Sequence, residues 1–141
     1  MPDDMRDAPT VEAVRVALGQ LWATGRFRLL VLFGSIARAT ASQEPDLDLA
    51  FLPKSGVDET WLNAEVVRLT HENDVDVVDL THADPLIAME VARTGVLLFC
   101  DDPSDFTEFR SLAFRRYIDT EKLRRAQRRT LDLFQQGHES A

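Results

Sequence analysis

Hydrophobic positions along the chain follow two periods. Val11, Val14, Leu18, Leu21 and Trp22 recur at helical spacing across 11–24, with Thr10 placed as N-cap and Gly25 as the stop. The apolar runs RLLVLF (28–33) and LDLAFL (47–52), the second closed by Pro53, are short and bounded by turn-formers, which predicts buried strands. The helical period returns over 59–72 through Leu62, Val66 and Leu69, and Asn73 and Asp74 then lead into the β-branched run VDVVDL at 75–80. Asp84 ahead of Pro85, with Gly95 at the far end, brackets a helix over 85–94. VLLFC at 96–100 predicts a fourth strand, and 104–136 reads as a long helical segment interrupted near Asp119-Thr120. Strands alternating with helices predict an α/β (α+β) domain: a small sheet of about four strands flanked by helices.

Composition sets the scale of that prediction. A chain of 141 residues, 45% hydrophobic, is long enough for one compact domain with a core and short for two, so 1–141 is expected to form a single domain with flexible ends at 1–9 and 137–141. No window approaches the roughly 18 uninterrupted apolar residues of a membrane helix, and the acidic opening MPDDMRDAPT is unlike a secretory or transit peptide, which predicts a cytoplasmic protein. Cys100 is the single cysteine, so neither a disulfide framework nor a cysteine-zinc site is available.

The net charge of -8 argues against direct binding to nucleic acid, yet the sign is uneven. Residues 1–109 carry -12 and residues 110–141 carry +4. The basic tail is either a solvated helix face or a docking surface for an acidic partner.

Candidate chemistry gathers in LLVLFGSIARATASQEPDLDLAFL, residues 29–52. In a strand, side chains alternate faces, so Asp46 and Asp48 share a side with Ala50 and Leu52. Two carboxylates on one strand face repel each other. Either a hard divalent cation such as magnesium, which leaves positions for substrate phosphates, answers them, or both sit on a solvated loop before the strand, with Asp46 as a turn residue after Pro45. In VDVVDL, Asp76 lies on one face and Asp79 on the other. If that strand lies beside LDLAFL, Asp76 joins Asp46 and Asp48; otherwise its acids face water on an edge strand. The Gly34-Ser35 turn offers close backbone approach, a hydroxyl and N–H groups suited to phosphate oxygens. Arg38, about one turn further on, is within reach of a phosphate oxygen or serves the surface. No G-x-x-x-x-G-K-[ST] or G-x-G-x-x-G is present, and His71, His82 and His138 lack metal-ligand spacing.

Gly34-Ser35, ten residues, Asp46-Leu47-Asp48 and a later strand acid at Asp76 resemble the G-S-x10-D-x-D signature of polymerase-β-type nucleotidyltransferases. Chain length, and the run from VDVVDL through DPLIAMEVARTGVLLF to FRRYIDTEKLRR, resemble the minimal nucleotidyltransferases of HEPN/MNT toxin–antitoxin pairs, the MntA-like adenylyltransferase antitoxins. The resemblance implies a polymerase β palm-like fold with a small mixed sheet, and an antitoxin that transfers AMP from ATP to a tyrosine of a cognate HEPN ribonuclease toxin. It further implies that Gly34, Ser35 and Arg38 hold the nucleotide, that Asp46, Asp48 and Asp76 bind two magnesium ions and carry catalysis, and that toxin and antitoxin form a hetero-oligomer. Ala39 and Pro45 stand where family members commonly have glycine and serine, a departure in the loop over the nucleotide. An antitoxin acting by binding alone, and nucleotidyl transfer to a small molecule, are the alternatives.

Overall fold

A computed structural model describes residues 9–37, 46–54 and 57–139, with side chains described as far as Gln135. The chain enters through α1 (Val11–Ala17) and the short α2 (Gly19–Trp22). Thr10 caps α1 by accepting from the Ala13 N–H at 3.1 Å. The periodicity predicts one helix over 11–24, but the helix breaks at Leu18, which is fully buried and precedes Gly19, a residue with little commitment to helix. Gly25 (φ 71°) then turns the chain into β1 (Phe27–Phe33).

From β1 the chain passes through α3 (Gly34–Ala37) to β2 (Leu47–Pro53), α4 (Glu59–Thr70), β3 (Val75–Asp79), α5 (Pro85–Thr94), β4 (Val96–Cys100) and α6 (Pro103–Glu139). Asp58 caps α4 and Asp84 caps α5, each accepting a backbone N–H from the first turn, and Pro85 occupies the first helical position where its missing donor costs nothing. The pattern carries α4 to residue 72, but it ends at Thr70 because His71 adopts the left-handed conformation (φ 58°) and returns its N–H to Val67. The interruption expected near Asp119-Thr120 does not occur. The Thr120 hydroxyl bonds back to the Arg116 carbonyl at 2.9 Å and is absorbed into the preceding turn.

The four strands form one mixed sheet in the order β3-β2-β1-β4, with β1 antiparallel to both β2 and β4 and β2 parallel to β3. Strand alternation sorts the core into two layers. Leu30, Leu32, Leu47, Leu49, Phe51 and Val75 face α1 and α4, where they pack with Val14, Leu18, Leu62 and Val66. Leu29, Val31, Phe33, Ala50 and Leu80 face α5 and α6 and pack with Val91, Phe106 and Phe109. Because β1 is covered on both faces, RLLVLF reads as a continuous apolar run rather than an alternating one. The outer edge of β4 is covered by Arg15, whose guanidinium donates to the carbonyls of Leu97 (3.1 Å) and Leu98 (3.3 Å). Among the described residues no helix is long and apolar enough to cross a membrane.

Candidate active site

The end of β1, the start of β2 and the start of β3 meet at one corner of the sheet. In the β1–β2 ladder Phe33 stands opposite Asp48, and in the β2–β3 ladder Asp48 stands opposite Asp76. Directly opposed residues of neighbouring strands place their side chains on the same face. Asp48 and Asp76 therefore share the face of Ala50 and Leu80, as parity requires; β3 lies beside β2 and is also an edge of the sheet, so Asp76 stands next to Asp48 and remains exposed to water. Asp79 belongs to the other face, and its carboxylate accepts the Thr81 N–H at 2.8 Å.

Gly34 completes the corner. It has φ 77°, a left-handed conformation suited to glycine, and a β-carbon there would collide with Oδ2 of Asp48 and lie 3.0 Å from its carboxyl carbon. The Asp48 carboxylate thus rests against the bare α-carbon of the Gly-Ser turn. Ser35 follows at the start of α3, half-buried. Asp46 is exposed and precedes β2, whose start is fixed by the Leu47 N–H donating to the Asp74 carbonyl at 2.9 Å.

Among the described residues, no three His, Cys, Asp or Glu side chains stand close enough to hold a metal ion between them. The structure thus brings Gly34, Asp48 and Asp76 together and does not close Asp46 with them into a three-carboxylate cage. Arg38, Ala39 and Pro45 lie outside the described residues. The donor set fits magnesium on chemical grounds. Asp46 and Asp76 are exposed and have no ion-pair partner among the described residues. Magnesium keeps several waters and binds through one or two carboxylates plus substrate phosphates, so a half-open set is what it uses.

Two features were not anticipated from sequence. One is the contact between Gly34 and Asp48, for which the positive-φ requirement of a Gly-Ser turn is the only available signal. The other is a cavity of about 460 Å³ at the opposite end of the sheet, under α5 and α6, lined in part by Arg28, Leu52, Phe109 and Arg116. Arg28 pairs there with Asp105 at 2.9 Å. Close by, burial and then the charges of Asp105, Asp102 and Asp101 push the Cys100 thiol up, so it stays protonated and is no nucleophile at neutral pH.

Residues 24–104, from the end of α2 to the start of α6, match the family described as polymerase beta, nucleotidyltransferase. The chain belongs to this family. The nucleotidyltransferase match encloses the whole sheet together with Gly34, Ser35, Asp46, Asp48 and Asp76. Among curated relatives, the protein adenylyltransferase MntA of Shewanella oneidensis is 29% identical over 82 residues, 57% of this chain and 59% of that protein's length. A protein adenylyltransferase MntA of Aphanizomenon flos-aquae is 25% identical over 142 residues, covering 91% of this chain and 94% of the relative. The fold is shared with a chain of a toxin–antitoxin crystal structure with AMP-PNP, at TM-score 0.72 and 23% identity, covering 83% of this chain and 97% of that one. It is also shared with a chain of the complex between tri-AMPylated Shewanella oneidensis HEPN toxin and MNT antitoxin, at TM-score 0.69 and 21% identity, covering 86% and 98%.

Proposed function

We propose that this nucleotidyltransferase is an antitoxin that transfers AMP from ATP to a tyrosine of a cognate HEPN ribonuclease toxin in the cytoplasm and so silences it. The observation that carries the reading is the register that sets Asp48 beside Asp76, with the Gly34 α-carbon against the Asp48 carboxylate. The full-length similarity to an MntA adenylyltransferase supports the choice of reaction.

In this mechanism the Gly34-Ser35 turn receives the triphosphate, because glycine lets phosphate oxygens approach the backbone and Ser35 adds a hydroxyl. Asp46, Asp48 and Asp76 are the residues that would hold two magnesium ions. When bound, these ions supply neutralisation of charge at the attacking and leaving oxygens of an in-line displacement. Asp76, exposed at the outer side of the set, takes the proton of the tyrosine hydroxyl as its oxygen bonds to the α-phosphorus. The bond from that phosphorus to the β-phosphate bridging oxygen breaks, and pyrophosphate leaves. Asp48, held between two strands, orients the nucleotide so that this approach is in line.

Incubation with ATP labelled at the α-phosphate, magnesium and the partner toxin is expected to label the partner. Asp46→Ala and Asp48→Ala are each expected to lower labelling by about a thousandfold, the order of several kcal/mol of transition-state stabilisation. Labelling that survives both changes excludes this mechanism. One observation favours a second reading, in which the protein neutralises its partner by binding alone. The distal half of α6 carries exposed Leu123, Leu131, Leu133 and Phe134 among basic residues, a surface suited to docking. Under that reading the double aspartate variant still neutralises the toxin at stoichiometric dose.

A further inference from the structure

Along the outer edge of β3, beside the carboxylate set, Val77 is the residue for which neither backbone group has a partner among the described residues. The Leu47 N–H donates to the Asp74 carbonyl and the Leu80 N–H donates to the Phe51 carbonyl, both at 2.9 Å. In a parallel ladder the backbone groups of alternate residues point to the same side, so residues 74, 76, 78 and 80 face β2 while 75, 77 and 79 face outward. Side chains of α4 take one backbone group on each of two of the three outward residues. Asn63 donates to the Val75 carbonyl at 2.6 Å, and Glu59 accepts the Asp79 N–H at 3.3 Å. Between them the Val77 N–H and C=O point outward with no partner among the described residues. They open into a groove of about 510 Å³ lined by Glu59, Thr60, Asn63, Ala64, Asp76 and Val77.

We propose that this groove binds an extended, basic segment of the acceptor protein, which pairs with β3 at Val77 and carries the tyrosine to Asp76. The proposal rests on the adenylyltransferase reading for the chemistry, and on the sheet edge for the docking. A strand added at an edge lies about 4.8 Å away, with its side chains alternating between faces. A tyrosine on the Asp48/Asp76 face of such a strand lies alongside Asp76. Charge selects the occupant. The lining holds Glu59 and no basic side chain, and Asp74 and Asp79 flank it along the strand, so acidic charge remains at the groove when Asp76 is engaged by metal. A second copy of this edge would bring the same acids face to face and be repelled, which excludes self-pairing and favours a cationic peptide.

The test uses the full ¹⁵N-labelled protein and the acetylated, amidated heptapeptide Lys-Arg-Val-Tyr-Val-Arg-Lys. The expected result is saturable shifts of the Val75, Val77 and Asp79 amide resonances. Affinity is expected to fall at least about tenfold for the same peptide N-methylated at alternate residues, which cannot pair with an edge. A similar fall is expected in Ala64→Trp, which fills the groove from the exposed side of α4. Absence of saturable shifts at these amides, or equal binding of the N-methylated peptide, overturns the proposal whether or not the Trp variant folds. Labelled ATP added to the same mixtures separates the two readings. Transfer to the peptide without a shift at Val77 removes the edge site and leaves the adenylyltransferase. Edge binding in a protein that labels neither peptide nor toxin supports the docking site and removes the enzyme.

Discussion

Gly34 is the position where backbone geometry and chemistry coincide. Its φ of 77° and the space its missing β-carbon leaves to Asp48 are separate reasons for glycine, and alanine violates both. Gly34→Ala is expected to destabilise the fold by about 1–3 kcal/mol, the usual cost of a residue forced into a sparsely populated conformation. Because the Asp48 carboxylate must also move, AMP transfer is expected to fall by at least about a hundredfold. Thermal melts and the labelled-ATP assay check the two effects separately. The residue types of this corner were legible in sequence, since Gly-Ser, Asp-x-Asp and the strand acid Asp76 stand at fixed spacing. The contact itself was not legible, because proximity across strands depends on register, which alternation along one strand does not set.

Element boundaries follow local capping chemistry more than hydrophobic period. The helix over 85–94 and the strand over 96–100 were readable to the residue, because Asp84, Pro85 and Gly95 each act locally. The α1/α2 break and the end of α4 at His71 were not, since both depend on backbone conformations that residue type only weakly constrains. α6 begins on a cap of the same kind. Asp102 precedes Pro103 and accepts the Ser104 N–H at 2.9 Å, and that backbone hydrogen bond, with a smaller contribution from the Ser104 side chain, holds the Asp102 carboxyl below its ordinary value of 3.8. A carboxyl lowered on folding contributes stability that is present above its unfolded pKa and lost as pH falls through its folded one. Asp102→Ala is therefore expected to be less stable than the parent near neutrality. The gap between the two denaturation midpoints is expected to close as pH is taken below about 3.8.

At the scale of the whole molecule, the two ends of the sheet differ in chemistry. One end carries the carboxylates and the glycine turn, and the other carries the cavity with Arg28 and Arg116 under α6. α6 packs on the body through Phe106, Phe109 and Ala113, whereas Leu123, Leu131, Leu133 and Phe134 are exposed. Ending the chain after Thr120 is therefore expected to change unfolding free energy by less than about 1 kcal/mol, measured by urea titration, since the lost residues bury little. The four-strand mixed sheet was foreseeable from alternating apolar runs and from family resemblance. Which strands sit at its edges was not, because strand order is a long-range property. The function of the molecule turns on where the nucleotide binds. A crystal structure with manganese and a non-hydrolysable ATP analogue decides this through the anomalous signal of the metal. Manganese is expected on Asp48 and Asp76, with the phosphates against Gly34 and Ser35. Manganese and phosphates found instead in the arginine-lined cavity at the other end of the sheet would contradict that placement.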